Sequence, residues 1–556
     1  MRSAQAALSP ADTAAAGAAE VGGPASVVFR QTLRRGMRSG VLFGYVFGLY
    51  VASTALGFSA TYKTAAQRAH LAALFGHNGG TSALVGPGYQ LQTVGGFTVW
   101  KSLVTLTIVG AVWAMLLATR LMRGEEESGR WELMLSGQTT PAGATRQAIM
   151  GLGGALAILT VLAAAIIAGV GLLSRVKFGV GSSLFFALAL ASAPAMWLAA
   201  GALASQLASS RRRAAAYCAA LLGASYAVRM VADSGTGLGW LRWVSPLGWV
   251  EDLRPLTSPD PWPLLPIFAT VAALCLLAVR LSASRDVGSG TLPDRLSVTA
   301  HTRLLFGPLG LALRLTRPTF VGWGIALALW SFMLGITAKS GGKALSGSPA
   351  VDHVTARLGI TGGSADAYLG IILLVAAVLL TLIVAGQISG VRAEESEGRL
   401  EHILARPTSR LAWLTGRIAI TAAVLVLAGA EAGVFCWLGA LTQNAGVGFS
   451  TMIEAGINTV APALLVLGIG AFCFGACPRQ AASAVYGVIL WSLVLELVGA
   501  AVTADHWFLD TSVFHHMAPA PAMGANWGTN GVLVAAGAVV AVAGGLAFRR
   551  RDLVGD

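Results

Sequence analysis

Twelve long apolar runs divide this 556-residue chain, and each is long enough to cross a lipid bilayer. Hydrophobic residues make up 55% of the chain and charged residues only 11%, against about 25% charged in an ordinary soluble domain. The runs therefore predict an all-α polytopic membrane protein. The predicted transmembrane helices are residues 40–59, 96–119, 147–173, 183–208, 214–232, 262–280, 319–337, 368–391, 418–441, 451–477, 481–502 and 529–547.

The positions of the basic residues orient these spans. With the N-terminus inside, 27 of the 38 Lys and Arg residues fall in cytoplasmic segments or at their edges. The positive-inside rule therefore predicts a multi-pass protein of the plasma (inner) membrane with both termini cytoplasmic. Topology and anionic membrane lipid then explain the formal net charge of +13, and nucleic acid is not expected as a partner.

The five cysteines indicate neither a disulfide framework nor a metal site. Cys218, Cys275, Cys436, Cys473 and Cys477 all fall in predicted spans, where a thiol behaves as a small buried apolar group. Cys473 and Cys477 are one helical turn apart, but a metal ion would need further ligands beside them. We therefore predict no bound metal.

An acidic segment occurs twice. Residues 125–135 read EEESGRWELML and residues 394–404 read EESEGRLEHIL, with six identities at a constant offset of 269. Each copy falls between the second and third predicted spans of its half. Basic landmarks also recur, namely Arg212 and Arg479 before the fifth and eleventh spans, and Arg285-Asp286 and Arg551-Asp552 after the sixth and twelfth. The pattern predicts twelve transmembrane helices as two parallel six-helix repeats, related by an axis along the membrane normal.

These boundaries predict four segments. They are a disordered cytoplasmic tail at 1–26 without the features of a signal peptide, a first six-helix half at 27–286, a cytoplasmic linker at 287–302 and a second half at 303–556. Each half begins with an amphipathic stretch. In the first, Phe29, Leu33 and Met37 recur at i, i+4 spacing, each followed by an arginine, namely Arg30, Arg34 and Arg38. In the second, Arg314 and Arg317 stand just before the seventh span. Such a stretch is typical of an interfacial helix, and a solvated linker is the alternative.

The acidic segments carry opposite charges at helical spacing. Glu126 and Arg130, like Glu395 and Arg399, stand at i, i+4 in the favourable order, which predicts ion pairs on a short helix beneath the membrane. The remaining acids would present a negative patch to a cytosolic protein; they are Glu125, Glu132, Glu394 and Glu401. A merely solvated turn is the alternative.

With these features the chain resembles the permease subunits of type-2 ABC exporters, in particular the fused twelve-span permeases of actinobacterial antibiotic and multidrug exporters. The resemblance covers both halves and rests on the E-E-x-x-G-R-x-E-x-x-L loop, the six-span module with long first and fifth external loops, the amphipathic stretch before each module and the Arg-Asp after it. It implies the type-2 ABC exporter permease fold, with the acidic loops as coupling helices seated on an ATPase. The residues to which this role is carried are Glu125, Glu126, Gly129, Arg130, Glu132, Glu394, Glu395, Gly398, Arg399 and Glu401.

The two copies differ just after the motif. The second continues into Ala-Arg-Pro-Thr-Ser-Arg at 405–410, close to the family pattern, whereas the first has Ser-Gly-Gln-Thr-Thr-Pro at 136–141. The first docking site is therefore expected to bind differently.

The chain carries no G-x-x-x-x-G-K-[ST] segment, so it lacks the phosphate-binding loop of an ATPase and is not expected to be an enzyme or to bind a cofactor. Two acidic loops imply two copies of a cytosolic ABC ATPase subunit, which would hold ATP and Mg. The resemblance implies export by alternating access. The spans expected to line the pathway are rich in Ala, Leu, Val and Gly, which suits a hydrophobic or amphipathic drug or polyketide antibiotic, with lipid as the alternative cargo.

Three other functions stay open. A proton-coupled secondary transporter of the major facilitator type also has two parallel six-span halves, but its usual G-x-x-x-D-R-x-G-R-R loop is replaced here by the acidic motif. A membrane-embedded enzyme would need convergent catalytic groups, for which the candidates are His506, His515 and His516 in the last long external loop. A scaffold or receptor is the third possibility.

Two ionisable residues within the spans are candidates for the transport pathway. Arg229 and Glu496 occupy equivalent positions on the fifth and eleventh spans, at the offset of 267 that also aligns Arg212 with Arg479. In the resembling family these spans face each other, which implies that the two charges pair as an outer gate or hold a polar group of the cargo. The alternative is that Arg229 pairs locally with Asp233 and that Glu496 is protonated or bonded elsewhere.

Overall fold

The regular structure of the chain is entirely helical in the part that the structure describes. This computed structural model describes residues 24–76, 82, 85–135, 139–233, 238–292, 307–345, 365–405, 407–499 and 509–553. The chain divides into two units, Met1–Ser297 and Val298–Asp556, with the boundary inside the predicted linker. Most of that linker and nearly all of the predicted tail lie outside the described residues.

The first unit contains long helices joined by short turns. Its helices are α1 (Pro24–Thr61), α2 (Ala65–Phe75), α3 (Val94–Thr119), α4 (Arg130–Leu135), α5 (Pro141–Gly171), α6 (Val180–Leu207), α7 (Arg211–Asp233), α8 (Pro246–Asp252) and α9 (Leu264–Ser284). A π-helical turn, Arg120–Gly124, continues α3 into Glu125–Glu127. Local sequence sets the start of α5, where the Thr140 hydroxyl caps the helix by accepting from the Gly143 N–H at 3.1 Å.

The second unit also combines long helices with short ones. Its helices are α10 (Pro308–Leu345), α11 (Ala365–Ser396), α12 (Arg399–Leu404), α13 (Arg410–Thr442), α14 (Phe449–Asn458), α15 (Val460–Ala476), α16 (Ala481–Gly499) and α17 (Trp527–Arg550). Helix α13 begins as α5 does, because the Ser409 hydroxyl accepts from the Ala412 N–H at 3.1 Å.

Eleven helical segments of the described part are long and apolar enough to cross a membrane. They coincide with eleven of the predicted spans. The predicted span at 481–502 coincides with α16, which is not among the eleven, and residues 500–502 lie outside the described part. The chain is therefore a multi-pass helical membrane protein.

The described parts of the two entry stretches are helical and continue directly into the span that follows. Residues 27–38 form the first turns of α1, which runs unbroken for 38 residues, and α10 runs for 38 residues through Pro318. Gly40 stands where the basic start of α1 meets its apolar part, and the helix continues through it. The residue is packed closely, since a Cβ at Gly40 would lie 2.5 Å from the carbonyl oxygen of Ala155 on α5. Close contact at a small residue is a common way for membrane helices to pack.

The same kind of packing holds the second unit together. A Cβ at Gly439 of α13 would lie 2.1 Å from the carbonyl oxygen of Phe332 on α10. A Cβ at Gly468 of α15 would likewise lie 2.1 Å from the carbonyl oxygen of Gly537 on α17. These helices therefore meet backbone to backbone, and any larger residue at these glycines would force them apart.

Candidate functional site

Both acidic segments follow the same backbone path. In the first, Gly129 stands between the extended end of α3 and the start of α4, and in the second Gly398 stands between α11 and α12. Their φ angles are +73° and +72°, in the left-handed region where a side chain costs about 1–2 kcal/mol. The glycine shared by the two copies thus turns the chain from a long helix into a short one.

The second glutamate of each segment is buried in an ion pair with the arginine that follows the last helix of its unit. Arg285 donates through both Nη atoms to the two carboxylate oxygens of Glu126, each at 2.7 Å. Arg551 donates in the same way to Glu395, at 2.6 and 2.8 Å. Glu126 is 7% exposed and Glu395 only 3%. This two-point geometry fixes each acidic loop to the end of α9 or α17.

These contacts correct the predicted i, i+4 pairs. Glu126–Arg130 and Glu395–Arg399 are not paired. Instead, Arg130 donates to Glu125 at 3.1 Å, and Arg399 pairs with Glu397 at 2.7 Å. A pair at i, i+4 requires an unbroken helix, and the left-handed glycine lies between the two positions in each copy.

The first glutamate of each segment is held by a different helix in each unit. Glu125 is 8% exposed and accepts from Arg35 of α1 as well as from Arg130. Glu394 pairs with Arg417 of α13, whose equivalent at the offset of 269 is Ala148. The two loops therefore share one anchor and differ in the other.

The exposed charges of the loops are mixed rather than purely negative, which corrects the predicted patch. Glu125 and Glu394 do not contribute negative charge to this surface, because each is paired with an arginine of the same unit. Of the four acids expected there, Glu132 and Glu401 are exposed. The charged residues that do face outwards are Glu127, Arg130 and Glu132 on the first loop and Glu397, Arg399 and Glu401 on the second.

Arg123 belongs to the first anchor and was not predicted. Its side chain is buried, and it donates to the main-chain carbonyls of Ser209, Gly288 and Ser289 at 2.6, 2.7 and 2.7 Å and lies 3.2 Å from Glu126. The equivalent Arg392 lies 3.7 Å from Glu395. The sequence carried a signal for this contact, because an arginine stands three residues before the second glutamate in both acidic segments.

Arg229, one of the two predicted gate residues, is buried against carboxylates of its own unit. It pairs with Glu251 of α8, lies 3.6 Å from Asp233 and stacks at 4.8 Å on the ring of Tyr226. The contact with Asp233 is the local alternative named above. Burial raises the pKa of Glu251 to about 8; Arg229 opposes this rise and Asp233 adds to it.

Glu496, the other predicted gate residue, accepts a hydrogen bond of 2.9 Å from the Ser512 hydroxyl. The Nδ1 atom of His515 lies 3.9 Å from the same carboxylate oxygen. A pair between Arg229 and Glu496 stays a prediction. Of the other candidate histidines, His516 contacts the Asp510 carbonyl at 3.0 Å and His506 lies outside the described residues.

Equivalent serines, at the offset of 267, link α7 in the first unit and α16 in the second to the segment that follows each helix. The Ser245 hydroxyl donates to the Ser225 carbonyl at 2.7 Å, and the Ser512 hydroxyl lies 3.4 Å from the Ser492 carbonyl. The two units therefore resemble each other at this end of the helices as well as at the acidic loops.

Eleven candidate spans and two equivalent anchored loops define a multi-pass helical membrane protein with an internal repeat. The family model described as "Multidrug efflux system permease Rv1217c, C-terminal domain" matches residues 27–281 and 305–549. The multidrug efflux system permease protein Rv1217c of Mycobacterium tuberculosis is 30% identical over 516 residues, which cover 91% of this chain and 90% of that protein. The chain belongs to this permease family.

Proposed function

We propose that this chain is the membrane-spanning subunit of an ATP-driven exporter of the type-2 ABC class, and that the acidic loops couple it to its ATPase. The observation that carries the proposal is the anchor in each unit, Glu126–Arg285 and Glu395–Arg551. Removing a carboxylate from water costs several kcal/mol unless it is well paired. A merely solvated turn would leave these glutamates in water, whereas a loop that transmits force needs a rigid attachment to the spans.

In this proposal the chain has twelve spans as two parallel six-helix repeats, and α16 is the eleventh span. Both termini and both acidic loops lie in the cytoplasm, as the excess of basic residues in those segments favours. The exposed charges of α4, α12 and the turns before them then face the cytosol, where a soluble partner can reach them.

The partners are two copies of a cytosolic ABC ATPase subunit, one on each loop. ATP and Mg are bound by those subunits, since the chain lacks a phosphate-binding loop of its own. The name of the relative, a permease of an efflux system, supports partner subunits of this kind.

The cargo we propose is a hydrophobic or amphipathic compound, such as a drug or a polyketide antibiotic, which leaves the cell by alternating access. The multidrug efflux assigned to the relative by name supports this class. The apolar composition of the spans expected to line the pathway is also compatible with it.

Docking is tested by charge reversal of one exposed acid on each loop, Glu132→Lys with Glu401→Lys. The matched control is Asp260→Lys with Asp510→Lys, which makes the same charge change at the other end of the helices. We expect the loop variant to bind the co-expressed ATPase on the order of tenfold more weakly and to lose drug-stimulated ATP hydrolysis, while the control behaves like the wild type. Glu394 and Glu395 are unsuitable for this test because they are paired within the protein.

Two results would contradict the proposal. One is a complex with the ATPase that the loop variant leaves unchanged. The other is transport that a protonophore abolishes and vanadate does not, which would support a proton-coupled secondary transporter instead.

A further inference from the structure

A strongly basic cleft of about 950 Å³ lies between the first turns of α1 and the end of α3. Six arginines line it, and they are Arg30, Arg34, Arg35, Arg38, Arg120 and Arg130. Glu125 is the only carboxylate among the described residues that line it. Of the residues that line it, the permease function proposed above uses only Arg130, on the first acidic loop.

The charge of the cleft is unbalanced. Glu125 is already paired with Arg35 and Arg130. Among the described residues, no carboxylate pairs with the other four arginines, and all four are exposed. Guanidinium groups that share a concave surface without counter-charges attract anions, and they favour phosphate because they can donate two hydrogen bonds to it.

The position of the cleft matches the level of lipid headgroups. Helix α1 has 38 residues and is thus about 57 Å long, whereas the hydrocarbon core is about 30 Å thick. Arg30, Arg34 and Arg38 follow one another at i, i+4 spacing near the start of this helix, beyond its apolar part. Val27, Leu117 and Leu121 line the same cleft, so it offers apolar surface beside the charges.

The fold does not require these arginines. The first fifteen residues of α1, 24–38, contain four arginines, whereas the first fifteen of α10, 308–322, contain two. At the offset of 269, Ser389 stands where the first unit has Arg120. The two units share the anchor of the second loop glutamate, and Arg35 holds Glu125 in the first unit. The other additional arginines of the first unit have no such role and need another explanation.

We propose that this cleft binds the phosphate headgroup of an acidic phospholipid of the cytosolic leaflet. The proposal rests on the orientation given under the proposed function, because it places the start of α1 at the cytoplasmic surface. Arg35 and Arg130 belong both to the cleft and to the anchor of Glu125. A bound headgroup therefore contacts the residues that hold the first acidic loop.

The test measures lipid binding to the purified chain without its ATPase, so its outcome does not depend on the export proposal. The probes are phosphatidylglycerol, phosphatidylcholine and inorganic phosphate, and the readout is the lipid retained in native mass spectrometry after delipidation and titration. The cleft variant is Arg34→Gln, Arg38→Gln and Arg120→Gln. The control variant removes three exposed arginines elsewhere, by Arg212→Gln, Arg549→Gln and Arg550→Gln.

We expect the wild type and the control to retain phosphatidylglycerol in preference to phosphatidylcholine, and the cleft variant to bind it on the order of 100-fold more weakly. Replacement of the same three arginines by lysine keeps the charge and should keep most of the binding. A thermal unfolding midpoint of the glutamine variant equal to that of the wild type would show that its loss of binding is not a folding defect. Equal binding by the cleft variant, or no preference of the wild type for the acidic lipid, would overturn the proposal. Displacement of the lipid by millimolar phosphate would also overturn it, because it would identify a site for free anions.

Discussion

The anchor between Glu395 and Arg551 gives a prediction whose size follows from burial. The side chain of Glu395 is 1% exposed and that of Arg551 is 14% exposed, and two hydrogen bonds join them. Removing one partner of such a pair leaves the other charge without its counter-ion, at a cost of about 3–5 kcal/mol. We therefore expect Glu395→Gln to lower the free energy of unfolding by that amount.

The chain offers a matched control a few residues away. Glu397 and Arg399 also form an ion pair, at 2.7 Å, but their side chains are 58% and 57% exposed. Pairs in water contribute about 0–1 kcal/mol. Glu397→Gln makes the same chemical change in the same loop and should therefore cost little.

A double-mutant cycle isolates the pair from other contacts. Arg551 also stacks on Phe474 and Phe548, at 5.2 and 5.1 Å, so its single substitution loses more than the ion pair. We expect Glu395→Gln with Arg551→Gln to be more stable than the sum of the single effects predicts, by about 2–3 kcal/mol. The assay is reversible unfolding in mixed micelles, with ATPase stimulation measured on the folded variants. A coupling energy no larger than that of Glu397 with Arg399 would refute the reasoning.

Three further predictions concern other parts of the molecule. Gly398→Ala should lower the free energy of unfolding by about 1–2 kcal/mol and weaken ATPase stimulation, because its φ of +72° resists a side chain although the space around it is open. Gly390→Ala in the preceding helix α11 should be neutral or stabilising, and equal effects of the two substitutions in chemical unfolding would contradict this. The pKa of Glu251 is raised from its ordinary 4.5 to about 8, so the folded state binds the proton more tightly than the unfolded state does. The free energy of unfolding should therefore fall as the pH rises from 4.5 to about 8. In thermal unfolding, Glu251→Gln should lack this dependence on pH. Arg229→Glu would place a third carboxylate beside Asp233 and Glu251. The double variant Arg229→Glu with Glu496→Arg should therefore transport drug no better than Arg229→Glu alone. Transport restored in the double variant would instead establish the gate pair.

Much of the fold follows from patterns within one segment of sequence. The apolar runs located the spans because a helix in lipid must be long and continuously apolar. The repeated motif located the two loops, and its shared glycine marks the left-handed turn in each. These features depend on neighbours in sequence, and sequence reasoning can use them directly.

The partners of the loop glutamates could not be obtained in that way. The expected i, i+4 pairs assumed a continuous helix, and the glycine of the motif interrupts it. The true partner of Glu126 is 159 positions further on, at Arg285. A signal for it did exist, because an acidic motif and an Arg-Asp landmark of opposite charge both recur in each half at one predicted side of the membrane.

The difference between the two loops follows from which of their ion pairs is repeated. The second glutamate has the same arginine partner in both units, after α9 and after α17, so this contact belongs to the repeated module. The first glutamate is held by Arg35 of α1 in one unit and by Arg417 of α13 in the other. If both loops dock on an ATPase as proposed, each transmits movement to the last span of its half, but the first also acts on the entry helix and its basic cleft. We therefore expect acidic lipid to change the ATPase response that depends on Glu132 and to leave the one that depends on Glu401 unaltered.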